Sequence, residues 1–266
     1  MSETLAAAKS GSARRAWPAR AGRRIAWALL AAAGAAACRA PRVEERVLFV
    51  GNSYVFTNDL PAMFRTLAES AHRHVEVGML ATGGWTLQQH AAAPATDSAL
   101  AKSAWTRVVL QEQSVLPALR NQRAQMVNPA VRALAARIRA RHAAPMLLST
   151  WARRDGLPTA GFASFEAMQA ELDEGYRAAA EEAGTAIIPA GAAWASAHDA
   201  LPPFDLWGPD GSHPSVTGTY LTACVVFATV LRQSPVGLPT VAGVDQASAR
   251  RLQAIAARIA LAPPAP

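Results

Sequence analysis

Three residues that are far apart in the chain have the side chains that nucleophilic catalysis requires: Ser53, Asp210 and His213. A serine hydroxyl becomes a nucleophile when a histidine accepts its proton and a carboxylate orients that histidine. Ser53 directly follows an apolar run, in the segment Gly51-Asn52-Ser53-Tyr54, and a glycine there lets the chain turn sharply. Asp210 and His213 lie three residues apart in one Gly/Pro-rich loop, so that one short turn can present both.

Each of these segments also has a plain structural interpretation. Gly-Asn-Ser after a strand is a common turn sequence. The segment Asp210–Pro214 could be an Asx turn that carries a surface histidine, with Ser215 as the cap of the helix that follows. Taken singly, neither segment decides between a turn and a catalytic site.

Two further segments could stabilise a developing negative charge. Gly84, in the segment Ala81–Thr86, could offer a backbone N–H to an oxyanion, or it could belong to a plain strand-to-helix turn. The polar segment Gln111–Ser114 follows the apolar run Val108–Leu110. Polar residues at the end of a buried parallel strand can reach into an active-site cleft, and a solvated loop is the alternative.

The order of these segments resembles the four sequence blocks of the SGNH (GDSL-like) hydrolase superfamily. A serine follows the first strand, a glycine turn follows the second, amide side chains follow the third, and a D-x-x-H motif precedes a late helix. The resemblance covers about residues 46–230. It implies an α/β class, a three-layer α/β/α flavodoxin-like fold with a mostly parallel sheet, and a serine esterase mechanism without a cofactor or metal.

The chain departs from the usual blocks at two places. Asn52 stands where the family usually has Asp, and the third block reads Leu-Gln-Glu-Gln-Ser instead of Gly-x-Asn-Asp. The latter is similar to the Gln-Gly-Glu-Ser segment of sialate and acetylxylan esterases in the same superfamily. By that resemblance the oxyanion hole comprises the N–H groups of Ser53 and Gly84 and the side chain of Gln111, with Gln113 as the alternative.

The elements that must position these residues alternate along the chain. Apolar runs predict strands at 46–50, 75–80, 107–110, 145–150 and 185–188, and amphipathic or long apolar stretches predict helices at 131–140, 165–183, 216–232 and 245–261. Leu60, Met63, Phe64 and Leu67 have the spacing of one helix face. Strands that alternate with helices favour βαβ units and a mostly parallel sheet, whose carboxyl edge carries the site.

The N-terminal segment is typical of export. A basic stretch precedes the apolar run Ile25–Ala37, whose roughly 13 residues suit a signal peptide and are fewer than the about 20 that span a bilayer. Small residues before Cys38 predict a lipoprotein anchor, with lipid on Cys38 and a periplasmic or cell-surface bacterial location. An ordinary signal peptide and a core helix are the alternatives. The predicted organisation is an anchor segment 1–38, a linker 39–45, a hydrolase domain 46–262 and a tail 263–266.

The distribution of charge and the cysteine content limit the classes of partner that the sequence favours. The net charge is +7, but +5 of it lies in residues 1–37, so no basic stripe suggests nucleic-acid binding. The chain has two cysteines, and Cys224 lies in an apolar run that predicts a buried thiol. We expect no cofactor, no metal, and membrane contact only through the anchor; oligomeric state is left open.

Several aromatic and histidine residues have weaker claims. Trp85, Trp151 and Trp207 follow predicted strand ends or lie in loops, where they could line a substrate pocket or simply pack. The pair His198-Asp199 could mimic a catalytic pair but lacks a serine motif. The other histidines, at positions 72, 74, 90 and 142, have no neighbours that suggest a metal site.

The expected function is hydrolysis of an ester, with a small acyl group on a carbohydrate as the substrate that the resemblance suggests. The same residues could support a thioesterase or lysophospholipase. A lipid-anchored glycan-binding protein without turnover is the non-enzymatic alternative.

Overall fold

A computed structural model describes residues 43–201, 203–240 and 243–263. The predicted anchor segment with Cys38, most of the predicted linker, and residues 264–266 lie outside the described residues. The first strand begins at Glu45, inside the segment predicted as linker. Within the described residues, no helix is both long and apolar enough to cross a membrane.

The described strands form a five-stranded parallel sheet in the order β2-β1-β3-β4-β5. Their bounds are β1 Glu45–Gly51, β2 Val75–Ala81, β3 Arg107–Leu110, β4 Ala144–Leu148 and β5 Ala186–Ile188. This is the flavodoxin-like order, and the predicted fold class is confirmed.

The helices, in chain order, are α1 Ser53–Phe56, α2 Leu60–Ser70, α3 Leu87–Ala92, α4 Pro94–Ala101, α5 Arg120–Gln122, α6 Asn128–Arg139, α7 Phe165–Ala183, α8 Ala190–His198, α9 Val216–Leu231 and α10 Gln246–Ala260. A π-helical segment, Arg123–Val127, joins α5 to α6, and two 3₁₀ turns cover Leu116–Ala118 and Pro158–Ala160. Helices α2, α8, α9 and α10 pack together in one outer layer, and α3, α6 and α7 pack in the other.

The core follows from the apolar runs of the sequence. In β1, every residue of Val47–Val50 is at most 2% exposed, as expected for a central parallel strand that is covered on both faces. The predicted face of α2, which comprises Leu60, Met63, Phe64 and Leu67, is buried. Helix α9 is buried on almost all sides and has Cys224 in its interior, as predicted.

The sheet topology gathers the candidate segments at one edge. β1 lies between β2 and β3. The sheet extends from β1 to β2 on one side and to β3, β4 and β5 on the other, so the carboxyl end of β1 is a topological switch point. Gly51 pairs with Ala81 at the end of β2, and Val50 pairs with Leu110 at the end of β3. The loops that carry Ser53, Gly84 and the two glutamines therefore leave the sheet side by side.

Candidate active site

The turn that carries Ser53 needs a glycine before it. A Cβ on Gly51 would lie 2.5 Å from Gln111 Oε1 and 2.8 Å from a methyl carbon of Val55. Asn52 caps α1, because its Oδ1 accepts the N–H of Tyr54 at 3.1 Å. Ser53 is thus the first residue of a short helix that begins directly after β1, an interior strand of the sheet.

The loop before α9 brings the other two candidates to this serine. His213 Nε2 lies 2.8 Å from Ser53 Oγ, and His213 Nδ1 lies 2.5 Å from Asp210 Oδ2. The second oxygen of Asp210, Oδ1, accepts the backbone N–H groups of Ser212 at 3.0 Å and His213 at 2.9 Å. The Asx turn that was the structural alternative is therefore present, and the same carboxyl group also contacts the histidine ring.

The charge of Asp210 sets the tautomer of His213. The hydrogen bond from His213 lowers the pKa of Asp210 to about 2, so this carboxyl is ionised at neutral pH. A carboxylate only accepts hydrogen bonds, so the ring proton of a neutral His213 lies on Nδ1. Nε2 is then left as an acceptor for the hydroxyl hydrogen of Ser53.

The Asp210–His213 loop is fixed to the body of the protein by several bonds. Trp151 Nε1 donates to the carbonyl of Ser212 at 3.1 Å, and the hydroxyls of Tyr54 and Ser212 lie 2.7 Å apart. Gly208 N donates to the carbonyl of His213 at 2.7 Å. These hydrogen bonds restrict the backbone torsions of the turn, so the His213 ring is held close to one orientation.

Two of the three candidate tryptophans, Trp151 and Trp207, pack beneath this loop. The prediction that they could line a substrate pocket is therefore corrected for these two residues. Trp151 is 1% exposed and lies in a stack between Tyr54, at 4.8 Å, and Trp194, at 3.9 Å. Trp207 is 5% exposed and donates to the carbonyl of Ala152. These two rings are too enclosed to line a pocket. Trp85 is half-buried and remains a candidate for contact with a ligand.

The backbone N–H groups of Ser53 and Gly84 have no hydrogen-bond partner among the described residues. The Gly84 turn lies next to the Ser53 turn, because Asn52 Nδ2 donates to the carbonyl of Trp85 at 2.9 Å. Gly84 has a φ of +72°, a backbone conformation that glycine adopts without strain. Unpaired N–H groups of this kind are what an oxyanion requires.

Gln111 differs from the sequence prediction. Its Oε1 accepts the N–H of Asn52 at 2.9 Å, and its Nε2 donates to the carbonyl of Glu112. The side chain is fully buried beneath the Ser53 turn. Because both ends of this amide bind backbone groups beneath the turn, the structure favours a supporting role for Gln111 over the oxyanion role that the sequence placed first.

Gln113 has the opposite arrangement. Its Oε1 accepts the N–H groups of Val115 at 2.8 Å and Leu116 at 3.2 Å, at the start of the 3₁₀ turn. Among the described residues, its Nε2 has no hydrogen-bond partner, and the side chain is half-buried. The amide is therefore held by its oxygen and has its two N–H hydrogens free.

No protein-family model matches the chain, and no curated protein matches it. Solved structures do match it. A protein from Slackia heliotrinireducens assigned to the SGNH hydrolases is 31% identical, over 70% of this chain and 98% of that protein, with a TM-score of 0.58. This chain belongs to the SGNH hydrolase family.

More distant structures share the fold of this SGNH hydrolase. A DUF4886 family protein from Bacteroides uniformis superposes with a TM-score of 0.71 at 21% identity, over 80% of this chain and 93% of that one. Axe2, an acetylxylan esterase from Geobacillus stearothermophilus, has a TM-score of 0.52 at 14% identity, over 76% of this chain and 98% of that one. The family predicted from the sequence blocks is confirmed.

Sequence reasoning did not identify the supporting roles of three residues in this SGNH hydrolase. Glu112 is fully buried between the second and third blocks. His90 is also fully buried, and its Nε2 lies 2.8 Å from the carbonyl of Gly51; burial lowers the pKa of this histidine. Asn58 donates to the carbonyl of Pro214 at 3.1 Å. Each of these contacts joins segments that are distant in the sequence, so no local pattern pointed to them.

The remaining histidine candidates stay apart from the serine. His198 Nδ1 lies 3.2 Å from Asp199 Oδ1, and its ring stacks on Phe165 at 4.3 Å. In the part of the chain that the structure describes, no group of three His, Cys, Asp or Glu side chains lies close enough together to hold a metal ion.

Proposed function

We propose that this SGNH hydrolase is a serine esterase with Ser53 as its nucleophile, and that it removes a small acyl group from a carbohydrate or a similar alcohol. The observation that carries the proposal is the pair of hydrogen-bond contacts that connect Asp210 to His213 and His213 to Ser53, with 2.5 Å and 2.8 Å between the heavy atoms. Distances of this size allow direct proton transfer between the hydroxyl and the ring.

In the first half of the reaction, Ser53 Oγ attacks the ester carbonyl carbon while its proton passes to His213 Nε2. The ionised carboxylate of Asp210 stabilises the imidazolium that forms. The carbonyl oxygen becomes an oxyanion and accepts hydrogen bonds from the N–H groups of Ser53 and Gly84. His213 then gives its proton to the departing alkoxide oxygen, and the alcohol leaves an acyl-serine.

In the second half, water replaces the alcohol. His213 Nε2 accepts a proton from water as the hydroxide oxygen attacks the acyl carbon, and the same oxyanion donors stabilise the second tetrahedral intermediate. Collapse of this intermediate breaks the bond to Ser53 Oγ, which regains a proton from His213. The products are a carboxylic acid and the free enzyme, so no cofactor takes part in the balance.

Gln113 supplies the third oxyanion donor in this proposal. Its oxygen is fixed by two backbone N–H groups and its Nε2 is free, whereas both ends of Gln111 are engaged. Replacement of one oxyanion donor typically lowers kcat by about 10²–10³-fold. This proposal takes Gln113, which was the alternative in the sequence analysis, in place of Gln111.

The openness of the site supports a short acyl group. The side chains of His213 and Asp210 are 42% and 50% exposed. Exposed catalytic side chains suit a substrate whose bulk is on the alcohol side, and an acetylxylan esterase is among the proteins that share the fold.

The proposal is tested by hydrolysis of 4-nitrophenyl acetate and of an acetylated xylo-oligosaccharide. Ser53→Ala should reduce kcat/KM by at least about 10⁴-fold, because nothing else in the site replaces the hydroxyl. Ser98→Ala, which changes an exposed serine on α4, is the matched control and should keep wild-type activity. Activity of Ser53→Ala within tenfold of wild type would refute the nucleophile.

One observation favours a second function, a thioesterase or lysophospholipase. Phe56 lies three residues after Ser53, is 42% exposed, and comes within 3.9 Å of the position that a side chain on Gly83 would occupy. An exposed ring beside the glycine turn could bind an acyl chain.

The two functions differ in how activity depends on acyl length. For an acetyl esterase, kcat/KM should fall as 4-nitrophenyl esters lengthen from acetate to dodecanoate, and Phe56→Ala should change the series little. A rise with chain length that Phe56→Ala removes would favour the lipid substrate. Tight glycan binding without turnover of any ester would instead support the binding-protein alternative.

A further inference from the structure

Glu112 is a buried carboxyl group whose two oxygens have very different surroundings. Oε1 accepts the backbone N–H of Leu87 at 3.0 Å and the backbone N–H of Gln113 at 2.6 Å. Oε2 is also buried and has no hydrogen-bond partner among the described residues. The residue as a whole is 0% exposed.

The two N–H groups belong to the two segments that carry oxyanion donors. Leu87 is the first residue of α3 and follows Gly84 by three positions, and Thr86 and Gln89 form the capping box at the start of this helix. Its N–H has no acceptor within the helix, since it lies in the first turn. Gln113 carries the free amide. One carboxyl oxygen thus joins the segment after β2 to the segment after β3.

This arrangement costs folding free energy. Burial raises the pKa of Glu112 to about 7, although two N–H groups favour its ionised form. A backbone N–H at the start of a helix can be satisfied by a side chain of the same segment, as Thr86 Oγ1 accepts the N–H of Gln89. Glu112 instead reaches across 25 positions of sequence to Leu87.

We propose that Glu112 is a positioning residue, which holds the Gly84 turn and the Gln113 segment in a fixed relation so that both donors face the same oxyanion. It acts through Oε1, and it does not touch the substrate. The inference rests on the proposed esterase function, and it assigns to the buried carboxyl a task that none of the catalytic candidates performs.

Two substitutions separate the acceptor oxygen from the charge. Glu112→Gln keeps an oxygen at the Oε1 position and should retain kcat to within about fivefold. Glu112→Leu removes the acceptor and should lower kcat by about 10²-fold, comparable to the loss of one oxyanion donor, while KM changes less than threefold. Glu112→Asp, which keeps the carboxyl but shortens its reach, should fall between these two and serves if Glu112→Leu does not fold.

A matched control is available away from the site. Gln253 is also fully buried and also joins two segments, since its Oε1 accepts the N–H of Gly237 and its Nε2 donates to Tyr220 and Leu238. Gln253→Leu should lower the stability and leave kcat unchanged. Loss of kcat in Glu112→Leu but not in this control distinguishes positioning from general destabilisation.

Hydrogen–deuterium exchange of the full chain gives a readout that does not depend on esterase activity. In Glu112→Leu or Glu112→Asp, the segments 83–92 and 111–117 should both exchange faster than in wild type, and in Glu112→Gln neither should. Unchanged exchange in segment 83–92, wild-type kcat in both Glu112→Leu and Glu112→Asp, or equal losses in Glu112→Gln and Glu112→Leu would each overturn the proposal. Absence of ester hydrolysis by the wild type would refute the esterase function, and the exchange data would still decide the role of Glu112.

Discussion

At the scale of single residues, Asp210 performs two tasks with one carboxyl group. Its Oδ1 closes the turn through two backbone N–H groups, and its Oδ2 holds the histidine ring. The turn and the catalytic contact are therefore coupled, and the residue type that favours the turn is also the one that the chemistry requires. The turn interpretation and the catalytic interpretation of the sequence each account for one oxygen of this carboxyl group.

Asp210→Asn separates the two tasks. The amide oxygen can still accept the backbone N–H groups, but the NH₂ group faces Nδ1 and favours the wrong tautomer of His213. We expect kcat to fall by about 10³–10⁴-fold, with the folded structure retained. Steady-state kinetics together with circular dichroism check this. A loss below tenfold would mean that Asp210 matters for the turn and not for the histidine.

Glu112 gives a prediction on the pH dependence of stability. Its folded pKa of about 7 lies above the ordinary 4.5, so the fold favours the protonated form. This group therefore destabilises the fold progressively as pH rises from about 4.5 to about 7, and the effect is constant above that. Relative to wild type, Glu112→Gln should gain about 3 kcal/mol of unfolding free energy between pH 4 and pH 8.

Urea unfolding of both proteins across that pH range measures the difference. The wild-type and Glu112→Gln curves of unfolding free energy against pH should diverge between pH 4.5 and 7. Parallel curves would show that the Glu112 carboxyl titrates in the folded state as it does in the unfolded chain.

At the scale of elements, the connection between α1 and α2 joins the segment that begins with Ser53 to the Asp210–His213 loop. Asn58 and Asp59 both have positive φ, at 57° and 51°, which is strained for residues other than glycine. Asn58 Nδ2 donates to the carbonyl of Pro214 and to Thr219 Oγ1, and Asp59 caps α2. Asn and Asp tolerate this conformation better than most residues, so the sequence suits the strain.

Substitutions at Asn58 separate the strain from the hydrogen bonds. Asn58→Ala keeps the positive φ and loses both bonds, and we expect it to lower the unfolding free energy by about 2 kcal/mol. Asn58→Gly also loses the bonds but relieves the strain, so its cost should be smaller. Chemical denaturation of the two variants compares them. Equal stabilities would contradict a contribution from the backbone strain.

At the scale of the whole molecule, the sheet order explains why the four blocks could be recognised from the sequence. Buried parallel strands are continuous apolar runs, and β1, β3 and the long helix α7 could be located from the sequence alone. Their carboxyl ends meet at one edge, so the linear order of Ser53, Gly84 and the glutamine segment predicts that they lie together.

The sequence could not supply the side-chain directions at that edge. Gln111 and Gln113 are two positions apart and have the same chemistry, yet one supports the Ser53 turn and the other has a free amide. Trp151 is enclosed by a loop that contacts it from 61 positions later in the sequence, and local patterns hold no information about such a contact. These features depend on tertiary packing between distant segments.

The central claim is that Ser53 is the nucleophile, and covalent labelling tests it most directly. A fluorophosphonate reagent should add one phosphonyl group to the intact protein, and peptide mapping by mass spectrometry should place it on Ser53. His213→Ala should slow labelling by at least 10²-fold, since Nε2 no longer accepts the proton. Labelling at another residue, or no labelling of a protein that still hydrolyses esters, would contradict the account.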